Sequence, residues 1–119
     1  KTNLYLDSAI APSALNEEFY DEVNFLAPFG SGNTEPKFMI ENLKVIKSNV
    51  VGENHIKLLL SGDDGSVFSG FAPNSINTPL EPFLTMNKKK KINVAGKMTL
   101  NVWQGKKKVE FMIEDVLAI

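Results

Sequence analysis

The chain has 119 residues, 43% hydrophobic and 23% charged, enough for one modest core plus an appendage. Uninterrupted apolar runs are only a few residues long, so no stretch can cross a membrane as a helix, and the absence of Cys excludes disulfides and thiolate metal sites. The formal net charge of −1 hides an asymmetry: residues 1–36 hold Lys1 against Asp7, Glu17, Glu18, Asp21, Glu22 and Glu35, whereas residues 37–119 hold twelve Lys against eight acids. All thirteen basic residues are Lys, so any phosphate contact uses point charges and backbone donors rather than bidentate guanidinium groups. The chain opens on Lys1 without a signal-peptide pattern, as expected of a piece of a longer cytoplasmic protein.

Leu4-Tyr5-Leu6 reads as a short strand, and Pro12-Ser13 as a helix-start signal. Leu15, Phe19, Val23 and Leu26 then recur at helical spacing over residues 15–26, with Glu17, Glu18, Asp21 and Glu22 on the wet side. Pro28 ends that helix, and the breaker-rich stretch to Pro36 reads as a connector. From Lys37 the texture is β. Residues 37–51 predict one long strand, bent or bulged. Ile56, Leu58 and Leu60 alternate with His55, Lys57 and Leu59, and Gly62-Asp63-Asp64-Gly65 turns the chain into a strand from Val67 to Ala72. Ile76, Leu80, Phe83 and Leu84 predict a short helix within residues 76–86, confined by Pro79 and Pro82. Ile92, Val94, Gly96, Met98, Leu100 and Val102 alternate in the next strand, Gln104-Gly105 makes a tight turn, and Val109, Phe111 and Ile113 alternate in the last.

Five strands with a short helix between the third and fourth predict a mainly β, OB-fold barrel over residues 37–119. Residues 1–36, a helix and a linker, read as the end of a preceding domain. The predicted core contains Leu58, Leu60, Val94, Leu100, Val109, Phe111 and Ile113.

Little here points to catalysis. His55 is the sole His and reads as a surface residue at a strand start. Asp63 and Asp64 lie between two glycines and read as turn residues. Glu114 and Asp115 occupy consecutive strand positions and cannot converge on one metal without a bulge. Gly30-Ser31-Gly32-Asn33 reads as a shaped junction, the alternative being a backbone contact to phosphate. With Val102 turned to the core, Trp103 faces outward beside Asn93, Lys97, Thr99 and Asn101. An outward aromatic beside Lys suits the stacking of unpaired bases; the alternative is that Trp103 covers the barrel end or packs on the N-terminal helix. Lys106, Lys107 and Lys108 follow the turn, where loops flank the binding face of such barrels, and otherwise form a solvated strand edge. Lys88 to Lys91 read as a strand lead-in.

The stretch Leu26-Ala27-Pro28-Phe29-Gly30-Ser31-Gly32-Asn33-Thr34-Glu35-Pro36-Lys37-Phe38 resembles the motif of RecJ single-strand-specific DNA exonucleases, in which Leu-x-Pro-Phe-Gly ends a helix and Gly-Asn-x-x-Pro-x-Phe opens the barrel. Gly96 to Gly105, with Asn101-Val102-Trp103-Gln104-Gly105, is similar to that family's Asn-x-Trp-x-Gly strand, and Lys106 to Lys108 stand for its basic pair. Ile113-Glu114-Asp115-Val116 is a weaker third match, and the resemblance covers roughly residues 4–119. Lys stands where Arg is common after the Trp-x-Gly turn, and Pro73 where an aromatic often ends the third strand. The family's Asp-His-His catalytic motif and glycine-rich substrate motif are missing here. The resemblance thus implies a single-stranded-DNA-binding module, inactive by itself and without its own cofactor, in a parent hydrolase that uses Mn²⁺ or Mg²⁺ for DNA recombination and repair. Its partners would be single-stranded DNA, through Lys97, Trp103, Lys106, Lys107 and Lys108, and the catalytic domains of the same chain, with no membrane involved. The alternative is a structural or protein-interaction barrel that closes the nuclease around its substrate.

Overall fold

One strand organises the molecule by pairing along both edges. The computed structural model describes residues 8–26, 37–85 and 91–118. Its elements in chain order are β1 (Ser8–Ala9), a 3₁₀ turn (Pro12–Ala14), α1 (Glu17–Leu26), β2 (Phe38–Val51), β3 (His55–Ser61), β4 (Val67–Ala72), α2 (Leu80–Thr85), β5 (Ile92–Trp103) and β6 (Lys106–Ala118). Phe38 to Leu43 of β2 pair with β5, and Lys44 to Val51 pair with β3. Register shifts between Ile40 and Leu43 and between Val45 and Lys47 give the strand its bend. Asn42, at φ 59°, lies in the first of these, and its N–H donates to Asn93 Oδ1 at 3.0 Å. Asn tolerates this left-handed conformation better than most residues.

The sheet runs β1-β2-β3-β4-β6-β5, and the β2–β5 pairing closes its five long strands into a ring. β4 and β6 run parallel, at Gly70–Phe111 and Phe71–Met112; the other ring pairings are antiparallel. With α2 between β4 and β5, this is the OB topology the strand order predicts. Its interior holds Ile40, Leu43, Ile56, Leu60, Leu84, Ile92 and Phe111, all fully buried, and Phe68 meets Phe111 edge-on at 6.5 Å. Leu84 shows that α2 contributes to this core. Of the predicted core residues, Leu100 alone is half-buried rather than buried.

The lead-in packs on the barrel. β1 adds to β2 in parallel, Ser8 opposite Phe38, and Leu15, Phe19 and Val23 press against the core, Phe19 lying 5.8 Å from the Phe38 ring. Pro12-Ser13 does not start the helix as expected; it forms the 3₁₀ turn. α1 begins two residues later than the periodicity predicts because Asn16 caps it, accepting the Phe19 N–H at 2.8 Å. The strand expected at Leu4-Tyr5-Leu6, the Gly30–Asn33 connector and Lys88 to Lys90 lie outside the described residues.

One glycine is fixed by packing. A Cβ on Gly96 would overlap the Met112 carbonyl oxygen, at the point where the β5–β6 register shifts between Ala95 and Gly96. Ala95 pairs with Asp115 and Gly96 with Ile113, so Glu114 is the extra residue of a bulge.

Candidate nucleic-acid interface

Residues paired across a sheet share a face, so the registers decide which side chains stand together. Leu58, Gly70, Phe111 and Met98 are successive partners on the inner side. Their neighbours Asn49, Lys57, Phe71, Met112 and Lys97 form an unbroken row on the outer side, through β2, β3, β4, β6 and β5. Lys47, Leu59 and Ser69 form a second outer row. Further along β5 and β6, Thr99 pairs with Glu110, Asn101 with Lys108 and Trp103 with Lys106, all on this same side. The band therefore carries Lys47, Lys57, Lys97, Lys106 and Lys108, with Glu110 as the acid among them. Lys47, Asn49, Lys57, Leu59 and Ser69 line an open depression of ≈ 170 Å³.

Of the five residues singled out by sequence, Lys97, Trp103, Lys106 and Lys108 share one face. Lys107 pairs with Val102 and points to the other. Residues 101–108 are exposed on both sides, because this hairpin continues past the segment of β6 that pairs with β4. That corrects one expectation: Val102 has the parity of the core but is 55% exposed, as no barrel wall lies opposite it. Trp103 is 68% exposed, so it neither covers the barrel end nor packs on α1. The Gln104–Gly105 turn, with φ of 51° and 78°, has both central residues left-handed, the two-residue geometry that matches strand twist. Lys108 Nζ donates to Ser69 Oγ at 3.2 Å, tying the ribbon to β4.

Sequence pattern alone does not single out Lys47, Asn49, Lys57 and Phe71. The alternation of residues 55–60 already turns Lys57 outward, but the bulge at Ile46 conceals the face of Lys47 and Asn49. His55 departs from the surface reading. It is half-buried, its Nδ1 accepts the Asn74 N–H at 3.0 Å, and its ring lies 5.5 Å from that of Phe71.

The acids have structural partners. Asp64 accepts the Ser66 N–H at 2.9 Å, which holds its carboxyl below the usual carboxylate range. Asp63 meets Lys91 at 2.7 Å. The bulge that could have brought Glu114 and Asp115 together does exist, but Glu114 is engaged by Lys37 at 2.7 Å and Asp115 accepts the Val116 N–H at 2.9 Å. No three His, Asp or Glu among the described residues are grouped so as to hold a metal ion. No helix among them is long and apolar enough to cross a membrane.

The closed five-stranded ring, its interposed helix and its flanking hairpins define an OB-fold domain. The chain belongs to the RecJ OB domain family, whose model matches residues 6–115. It is 28% identical over 97 residues to the single-stranded-DNA-specific exonuclease RecJ of Bacillus subtilis, covering 79% of this chain and 12% of that protein. Against the protein of the same name from Haemophilus influenzae it is 26% identical over 113 residues, 93% of this chain and 19% of the relative. The chain thus spans less than a fifth of the length of either. In fold it is similar to Thermus thermophilus RecJ crystallised with Mn²⁺, at a TM-score of 0.63 and 24% identity over 88% of this chain and 14% of that one. The same protein with Mg²⁺ gives 0.66 and 22% over 92% and 16%.

Proposed function

We propose that this barrel holds single-stranded DNA for a RecJ-like 5′-to-3′ exonuclease of the cytoplasm, whose hydrolytic chemistry and metal ions reside in other domains of the parent protein. The carrying observation is the outer band: five lysines on the same side of the sheet as an indole that is 68% exposed, with Lys106 as its register partner. Lys97, Lys106 and Lys108 attract backbone phosphates, with Lys107 adding charge from the far side of the ribbon, and Trp103 stacks on a base. Neither contact reads sequence: every base has a π-face, and Lys is a point charge without the guanidinium fork. Binding of this kind suits an enzyme that processes strands of any sequence. Residues 37–119 form the DNA-holding barrel, and residues 1–36 lead into it from the preceding domain.

A second reading, a barrel that docks against other domains without strong DNA contacts, draws on the exposed Ile46 and on Val50 and Val51 at the end of β2. Competition between a labelled single strand and unlabelled duplex separates the two. The DNA-holding reading expects the duplex to displace the strand poorly, because stacking requires unpaired bases.

A further inference from the structure

We infer that His55 and Phe71 form a second base-stacking subsite on β3 and β4, which accepts one unstacked nucleobase while Lys57 meets the adjoining phosphate. The inference rests on the DNA-holding reading and deepens it. Both rings lie on the outer side of the barrel, His55 opposite Val51 and Phe71 between Lys57 and Met112, and both are partly exposed. Their centroids are 5.5 Å apart and their planes inclined by 40°, so together they offer an aromatic surface wider than either ring. Lys57 is the register partner of Phe71 and follows His55 by two residues, which sets its ammonium on the same side as both rings.

The hydrogen bonding of His55 adds an independent argument. Its Nδ1 accepts the Asn74 N–H, so in the neutral ring the proton is assigned to Nε2. That Nε2–H has no partner among the described residues, while no buried side-chain nitrogen or oxygen is left unpartnered. Nε2 therefore reaches solvent as a fixed donor beside an aromatic face, suited to a base carbonyl or ring nitrogen. A pair that served hairpin packing alone would require neither the outward donor nor the adjacent ammonium.

This subsite is distinct from Trp103. The row from Phe71 reaches β5 at Lys97, and Trp103 lies six positions further along that strand, roughly 20 Å at about 3.3 Å per residue. One base cannot occupy both, so the strand would run along the band and touch it at two aromatic points.

The test uses this chain with Phe71→Leu, His55→Gln and Trp103→Ala, each measured by anisotropy against a labelled oligo-dT and an abasic strand of equal length. Phe71→Leu should weaken oligo-dT binding about fivefold or more and leave abasic binding unchanged. In the unsubstituted chain, the Asn74 amide resonance should move on addition of oligo-dT but not of the abasic strand. If Phe71→Leu and His55→Gln bind oligo-dT as the unsubstituted chain does while Trp103→Ala weakens it, the second subsite is wrong and the DNA-holding reading stands. If the unsubstituted chain binds neither strand, both readings fail. Should Phe71→Leu not fold, the Asn74 resonance decides: an unmoved peak overturns the proposal.

Discussion

Trp103 and Lys106 are register partners across the Gln104–Gly105 turn, so indole and ammonium project from the same side of an exposed ribbon. On the proposed DNA-holding reading, stacking and phosphate attraction would act on adjoining parts of one strand and respond differently to salt. Trp103→Ala should cost roughly 1–3 kcal/mol of single-strand affinity with little change in salt dependence, because stacking releases no counterions. The substitution should leave the melting temperature nearly unchanged, as the side chain is 68% exposed. Anisotropy and thermal melting on the same sample read both effects.

The lysines after the turn should not behave alike. Lys106 and Lys108 face the band, whereas Lys107 faces away beside Val102. Lys106→Ala and Lys108→Ala should each reduce the salt slope of single-strand binding by about 0.7, the value for one released contact. Lys107→Ala should change it less. Equal effects from all three would mean that the ribbon is read as a diffuse cloud of charge rather than as a face.

Gly96→Ala probes the barrel rather than the interface. A Cβ there meets the Met112 carbonyl oxygen, which the β5–β6 ladder holds in place. The expected cost is about 3 kcal/mol or more, at the upper end of overpacking effects, and a melting temperature lower by roughly 10 °C or more. Thermal unfolding followed by circular dichroism measures it.

Residue pattern and tertiary geometry divide instructively here. Alternation in β5 correctly turned Trp103 and Lys97 outward, because the period of two holds without interruption from Gly96 to Trp103. The same alternation erred on Val102: parity gives the side of a strand but not whether anything packs against it, and the ribbon outruns the barrel. In β2 two register shifts reset the period, so the outward direction of Lys47 and Asn49 is legible only from the pairing with β3. The partner of His55 lies nineteen residues away in a loop, a tertiary contact that local pattern does not encode. Strand order and the position of α2, by contrast, follow from turn residues and breakers, and the barrel topology follows from them.

Asn16→Ala should remove the cap of α1, whose side chain accepts the Phe19 N–H. The cost should be about 1 kcal/mol, with faster hydrogen exchange confined to the first turn of the helix. Phe19 packs on Phe38, so exchange that spread to β2 would show the lead-in and barrel to be one cooperative unit.

Purified chain mixed with Mn²⁺ or Mg²⁺ should leave a 5′-labelled single strand intact, since no three acids or His among the described residues are grouped to hold a metal. Gel analysis over several hours checks this, and release of the label as a short product would contradict it.

Anisotropy of a labelled oligonucleotide across a salt series reads whether the outer band holds single-stranded DNA. Affinity should lie in the micromolar range or weaker at physiological salt, because few phosphates are neutralised and the acidic residues of α1 oppose them. The logarithm of the binding constant should fall linearly with that of salt, with a slope between roughly −2 and −3, that of three to four contacts at about −0.7 each. Absence of binding at about 50 mM salt, or affinity that does not respond to salt, would mean that the band does not hold DNA through its lysines.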